Sequence, residues 1–289
     1  IPTIGVEFSD YQRILKHFGR KITSSSFSTY KFRPSLSKKQ HIDFFDPISS
    51  EDVQAVLVSC KNLVGLKFWW YDGPFVFANY LMPHLKEFET DVNHLTDFNK
   101  IDAFFKNHTQ LTVLCTRFHN NRQAHYAVDL SFLSHLPNLK ILVLTLDGSN
   151  VRGTASLSHL NHLRKFSVGG SYDKETDLQI LESLGSVESL VTLELTMPDV
   201  SHVLRGIERF KNLRKLRIFG DGVVDILILA QLRSNCTDLH VSCKMLAEPN
   251  SLVDVVRNLK KLKKIELHCQ VALSETLCED LAKVCSSQD

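Results

Sequence analysis

Leu136-Pro137-Asn138-Leu139-Lys140-Ile141-Leu142-Val143-Leu144 sets Leu139, Leu142 and Leu144 at steps of three and then two. Phe210-Lys211-Asn212-Leu213-Arg214-Lys215-Leu216-Arg217-Ile218 repeats the arrangement. Outward from these copies, the frame Leu-x-x-Leu-x-Leu, with apolar substitutes, continues in both directions. Toward the N-terminus it reads Leu111-Leu114-Thr116, Leu85-Phe88-Thr90 and Leu63-Leu66-Phe68. Between the two strong copies lie Leu163-Phe166-Val168 and Leu190-Leu193-Leu195, and beyond them Cys236-Leu239-Val241 and Leu262-Ile265-Leu267. The nine first positions are separated by 22, 26, 28, 24, 27, 23, 23 and 26 residues. A recurring period of this size marks an array of stacked supersecondary units.

Within each unit the last positions alternate apolar and polar, the period of a short strand with one buried face. Between strands the apolar spacing widens to three or four, as in Asp52 to Leu57, Leu178-Leu181-Leu184, Val203 to Phe210 and Leu252 to Leu259. These stretches are expected to be amphipathic helices. Val224-Leu227-Ala230 fits the helix spacing less cleanly, because Ile226, Ile228 and Leu229 are apolar too; its place in the repeat favours a helix. Ser251, three residues before Asp254, predicts a capping box. Thr90, Thr116 and Cys236 stand where a leucine is expected, and the register is expected to loosen there by a residue or two.

Over residues 52–285 the chain resembles leucine-rich-repeat proteins. The fold this implies is α/β, a leucine-rich-repeat solenoid (horseshoe) with a parallel concave sheet and outer helices. Residues 51–289 are expected to form the repeat domain, closed by a capping helix on Leu277-Leu281-Val284. Residues 1–50 are expected to hold a linker helix from Tyr11 to Phe18, then a first strand and a loop. The strand is placed at Phe27-Tyr30-Phe32, with a span from Ile22 to Phe27 as the alternative. Residues 34–50 read as a loop or extended insert.

Alternation along a strand sends the frame leucines inward and the residues between and after them onto the open face. Three surface columns follow. The first runs Gly65, Glu87, Val113, Ile141, Lys165, Thr192, Lys215, Asp238, Lys264, and the second Lys67, Glu89, Cys115, Val143, Ser167, Glu194, Arg217, His240, Glu266. The third runs Trp69, Asp91, Arg117, Thr145, Gly169, Thr196, Phe219, Ser242, His268. Glu87, Glu89 and Asp91 make an acidic stripe. Val113, Cys115, Ile141 and Val143 make an apolar patch beside it, with Arg117 next to the patch. Lys215, Arg217 and Phe219 make a basic and aromatic spot, and Trp69 marks the N-terminal end. Exposed aromatics, arginines and contiguous apolar patches are the usual anchors of a protein interface.

Composition narrows the function class. The 34 basic and 32 acidic residues leave a net charge of +2, which argues against a dedicated nucleic-acid binder or a polybasic membrane anchor. No apolar run reaches the length of a transmembrane helix. The seven cysteines form no short framework and no C-x-x-C pair, the usage of reduced thiols in a cytoplasmic or nuclear protein. His240, Cys243, His268 and Cys269 lack zinc-ligand spacing, so no metal or cofactor is expected. Arg257 to Lys264 is a basic run without interleaved aromatics, read as solvated charge on an outer helix. Phosphate-binding glycine loops and nucleophile elbows are absent, and the glutamates lie on an open sheet rather than in a cleft, so no enzymatic activity is expected.

The junctions Cys60-Lys61-Asn62-Leu63 and Asn235-Cys236-Thr237-Asp238-Leu239 resemble cysteine-containing intracellular repeats. Phe8-Ser9-Asp10-Tyr11-Gln12-Arg13-Ile14-Leu15-Lys16-His17-Phe18-Gly19-Arg20-Lys21-Ile22 resembles the linker helix that follows an F-box in F-box/leucine-rich-repeat proteins. That resemblance implies the substrate-recognition part of an SCF-type ubiquitin ligase receptor, holding a protein substrate on its concave face. A ligase adaptor and cullin would be partners only through an F-box upstream of Ile1. The other reading is a repeat scaffold of a different pathway.

Overall fold

The computed structural model describes residues 24–27, 41–44, 57, 62–68, 79–92, 97–119, 127–147, 150–170, 174–200, 204, 206–231, 235–269 and 274–286. Its strands are β1 (Ser24–Phe27), β2 (His41–Phe44), β3 (Gly65–Phe68), β4 (Glu87–Val92), β5 (Val113–His119), β6 (Ala127–Asp129), β7 (Ile141–Asp147) and β8 (Asn150–Arg152). They continue with β9 (Lys165–Gly169), β10 (Thr192–Thr196), β11 (Lys215–Phe219), β12 (Val223–Val224), β13 (Asp238–Ser242), β14 (Met245–Leu246) and β15 (Lys264–His268). Eleven of them form one sheet in the order β1-β2-β3-β4-β5-β7-β9-β10-β11-β13-β15, and every pairing is parallel. Parallel neighbours in strict chain order, one per repeat, make this a leucine-rich-repeat solenoid.

Frame leucines explain the core. Leu139, Leu142 and Leu144 are fully buried, as are Leu193, Leu195, Leu216 and Ile218. Behind the central strands an aromatic cluster fills the space: Phe88 packs on Phe104 at 4.8 Å between ring centres, and Phe105 stacks on Phe132 at 4.6 Å. Several repeats are also tied to the one before by a polar side chain just ahead of the first frame position. Asn212 Nδ2 donates to the Glu188 carbonyl at 2.8 Å, Asn235 Nδ2 to Lys211 at 2.9 Å, and Gln110 Nε2 to Met82 at 2.9 Å.

The register departs from the sequence reading in the direction of greater order. Thr90 and Thr116 stand opposite each other without a slip, and Cys236 sits 1% exposed in its leucine slot. The predicted loosening is corrected: a small buried side chain at one position is outweighed by the backbone ladder and the leucines on either side. In the N-terminal region the described strand is Ser24–Phe27, within the span that ends on Phe27, while residues 28–32 lie outside the described residues. His41–Phe44, read as part of a loop, is a strand of the same sheet, paired in register with β3. Its His-Ile-Asp-Phe alternation is strand-like, but it stands outside the leucine frame. The predicted helix at Tyr11–Phe18 lies outside the described residues.

The outer face is more varied than strand-plus-helix. True α-helices occur at α1 (Phe98–Asn107), α2 (Lys174–Leu184), α3 (Leu252–Asn258) and α4 (Glu275–Ser286). Leu130–His135, Thr154–His159, Ile207–Arg209 and Ile226–Gln231 are 3-10 turns instead. Repeat length separates most of them. The steps of 26 and 27 residues that begin at Leu85, Leu163 and Cys236 contain α1, α2 and α3, whereas the described parts of the shorter steps that begin at Leu139 and Leu213 contain only 3-10 turns. A 3-10 turn advances about 2.0 Å per residue against about 1.5 Å in an α-helix, so fewer residues cross the outer face. The helix expected at Val224–Ala230 is therefore a strand end at Val224 followed by a 3-10 turn, and the described part of Val203–Phe210 holds α-helical Leu204 and a 3-10 turn at Ile207–Arg209. Small parallel ladders, β6 with β8 and β12 with β14, complete the outer turns. Ser251 forms no capping box: its hydroxyl donates to the Glu248 carbonyl at 2.6 Å, in the 3-10 turn that leads into α3.

Candidate functional site

The open face of the sheet carries the three columns in the register expected of them. Glu87 pairs with Val113, Val113 with Ile141 and Ile141 with Lys165; Thr192 pairs with Lys215 and Lys215 with Asp238. In the third column Asp91 stands across from Arg117, and Thr196 from Phe219. Trp69 lies outside the described residues.

Side-chain geometry turns these columns into three zones. At the N-terminal end Lys67 Nζ lies 2.7 Å from Glu89 Oε2, so the acidic stripe of Glu87, Glu89 and Asp91 meets cations on both flanks: Lys67 on one side, Arg117 in register on the other. In the middle, Val113, Cys115, Ile141 and Val143 form a block of apolar side chains on two adjacent strands, each half-buried. Burial, with Glu89 second, pushes the Cys115 thiol up to about 11, so this sulfur stays neutral at physiological pH and belongs chemically to the apolar block.

The C-terminal zone is a connected network. Glu194 Oε2 lies 3.5 Å from Lys165 Nζ and 3.9 Å from Arg217 Nη1, so one carboxylate is shared by two cations. Arg217 remains 51% exposed at its side chain, and Lys215 is exposed beside it. The Phe219 ring lies 4.9 Å from the His240 ring, and His240 lies 5.2 Å from His268. Glu266 accepts from Lys264 Nζ at 2.6 Å and pairs with His240 Nδ1 at 2.8 Å. Those two hydrogen bonds, the lysine's first, hold the Glu266 carboxyl down at about 2. Among the described residues no group of three or more histidine, cysteine or acidic side chains is placed to hold a metal ion.

Sequence reading therefore found the columns but missed the partners within them. Glu194, His240 and Glu266 are what organise the basic and aromatic spot. Their signal was present in the second column, where Lys67 and Glu89, Glu194 and Arg217, and His240 and Glu266 are consecutive members of complementary chemistry. Directly opposed charges on neighbouring strands interact.

No family model matches the chain, and no curated protein matches it significantly. Among solved structures the chain is similar to internalin C2 from Listeria monocytogenes, at 15% identity over 92% of this chain and 100% of that one, with a TM-score of 0.41. It is also similar to a leucine-rich-repeat protein of Leptospira interrogans, at 13% identity over 85% and 76% of the two chains, with a TM-score of 0.38. For the mouse RP105/MD-1 complex the values are 14% identity, 85% of this chain, 50% of that one and a TM-score of 0.42.

Proposed function

We propose that this chain is a non-catalytic protein-interaction module that seats a protein partner on the open, concave face of its sheet. The apolar block of Val113, Cys115, Ile141 and Val143 carries the reading. Elsewhere on that face Glu89, Glu194 and Glu266 are met by cations from the same or neighbouring strands. The block has no charge to satisfy and gains by excluding water. An apolar anchor from the partner would sit there, with Arg117 beside it and Arg217 and Phe219 gripping further along. Exposed arginine and aromatic side chains around an apolar centre are the composition of binding hot spots.

The finer reading is that the module is the substrate-recognition half of an SCF-type ubiquitin ligase receptor in the cytoplasm or nucleus. It is supported by the resemblance of Phe8–Ile22 to an F-box linker helix. The test uses affinity capture with the full-length gene product, read by mass spectrometry, beside Ile141→Asp and the double variant Arg217→Glu/Phe219→Ala. Both variants alter side chains on the open face and are expected to keep the circular dichroism of the wild type. Loss of the same captured partner from both supports the concave face; retention by both with an unchanged spectrum removes it. Cullin and adaptor in the wild-type capture support the ligase role, and their absence leaves a repeat scaffold of another pathway.

A further inference from the structure

A second surface follows the edge of the sheet where the strands begin. One residue precedes each strand there: Val64, Lys86, Thr112, Lys140, Arg164, Val191, Arg214, Thr237 and Lys263. Backbone N–H groups link each to the one before at 2.8–2.9 Å, so the nine are a single column in register. Lys86, Lys140, Arg164, Arg214 and Lys263 are exposed, and no carboxylate occurs in the column. None of these five cations has an ion pair among the described residues. The next column outward, Asn62, His84, Gln110, Asn138, His162, Ser189, Asn212, Asn235 and Lys261, holds no carboxylate either. Several of its side chains are turned back to the preceding repeat, and Lys261 Nζ donates to Asn235 Oδ1 at 2.8 Å.

The open face and the rim treat charge differently. On the open face Lys67, Lys165, Arg217 and Lys264 lie against carboxylates; none of the five rim cations does so among the described residues, although the net charge of the chain is only +2. The basic run from Arg257 to Lys264, expected as solvated charge on an outer helix, contributes directly. Arg257 stays on α3 and pairs with Asp254, but Lys260, Lys261 and Lys263 lie past the helix, on the rim. Toward the C-terminal end the rim opens into a groove of about 1450 Å³. Cations line it, Arg164, Arg214, Lys260 and Lys263 among them, with Glu188 as the lone carboxylate. Leu252, Val256, Leu262 and Leu281 give it an apolar floor.

We propose that this groove docks an acidic polypeptide segment of a partner protein, its carboxylates on the rim cations and one or two apolar side chains on the floor. From Arg164 to Lys263 there are four register steps, about 19 Å at ~4.8 Å each, the length of about six extended residues. A nucleic acid supplies the charge but not the rest. Its bases call for aromatic stacking platforms, and the groove is lined by none. An acidic peptide with leucine-like side chains satisfies both the rim and the floor. The site is separate from the concave face and does not depend on its partner.

The test is fluorescence anisotropy on the full chain with two labelled probes. One is a peptide of about ten residues, glutamates and aspartates around two leucines; the other is an oligothymidylate of similar length. The expected result is tighter binding of the peptide, weakened at least about tenfold by Arg164→Glu/Arg214→Glu/Lys263→Glu and left within about twofold by Arg217→Glu/Phe219→Ala. If the triple reversal alters the circular dichroism, Arg164→Gln/Arg214→Gln replaces it, with a weakening of at least about threefold expected. Unchanged peptide affinity in the folded rim variant overturns the proposal. So does an oligothymidylate that binds as tightly as the peptide.

Discussion

Single side chains in this molecule are informative where a polar group occupies a position that repeat packing reserves for an apolar one. His108 is the clearest. It is fully buried, stacks on Phe104 at 4.2 Å between ring centres, and spans two backbone groups: Nδ1 donates to the Phe104 carbonyl at 2.7 Å while Nε2 accepts from Met82 N–H at 3.1 Å. That pairing needs the neutral ring, and burial holds its pKa below the ordinary histidine value. The unfolded chain takes up the proton near pH ~6.5, before the folded one does. The stabilisation is therefore complete above that pH and is lost as pH falls toward the depressed folded value. His108→Leu leaves the Met82 N–H without its acceptor and is expected to cost about 1–3 kcal/mol at neutral pH. It should also remove this part of the pH dependence. Urea midpoints for both proteins at about pH 7.5 and about pH 5 check it, and parallel loss in the two would exclude His108 as the source. Thr116 is the opposite case: buried in a leucine slot, its hydroxyl finds no hydrogen-bond partner among the described residues. Thr116→Val keeps the shape and removes the unsatisfied group, so a gain of about 1 kcal/mol is expected in the same titration; a lower midpoint counts against it.

Elements are positioned by how repeats cross the outer face and how strands end. Gly170, just past β9, has φ near 123°, a conformation that L side chains rarely adopt. An added Cβ there would collide with the Leu146 carbonyl at the end of β7, while the glycine N–H donates to the Thr196 carbonyl at 3.1 Å. Gly170→Ala is expected to cost about 3 kcal/mol from backbone strain and overpacking together, seen as a lower thermal midpoint. A change below about 0.5 kcal/mol would mean the strand ends can shift apart freely. Such a constraint is invisible in the pattern, since Gly170 stands outside the leucine frame and its columns. The strands themselves were legible because the inner copies of the leucine frame each supply three buried positions that agree on one register. His41–Phe44 was not, having four residues and no frame. Val224–Ala230 was misread as a helix for a different reason. Apolar residues three or four apart satisfy an α-helix and a 3-10 turn alike, so the spacing by itself does not separate the two.

At the scale of the molecule, stability in a solenoid is approximately a sum over repeats and their interfaces, so the ends are its weak points. The C-terminal end shows the consequence. Ile265 on β15 is 37% exposed in a slot where Leu142 and Leu193 are fully buried. Lys264, Glu266 and His268 place charged or polar side chains along the last strand, the composition that discourages further strand pairing. Behind that strand, α4 packs on α3, burying Leu277 to 4% exposure and placing Leu281 against the core. The same Leu281 lines the floor of the basic groove, so α4 is both a stabilising element and one wall of the proposed docking surface. Deleting residues 274–289 removes both leucines, with up to about 1.5–3 kcal/mol each in lost burial, and exposes the α3 face beneath them. Because coupling runs through neighbours, the loss should be graded. In hydrogen exchange, protection of β13 and β15 falls sharply, β11 falls less, and β4, β5 and β7 are unchanged within error. A uniform loss across the sheet would instead mean that the chain folds as one cooperative block. The rim groove should weaken with the cap while the apolar block on β5 and β7 keeps its partner, so the two surfaces separate in one variant.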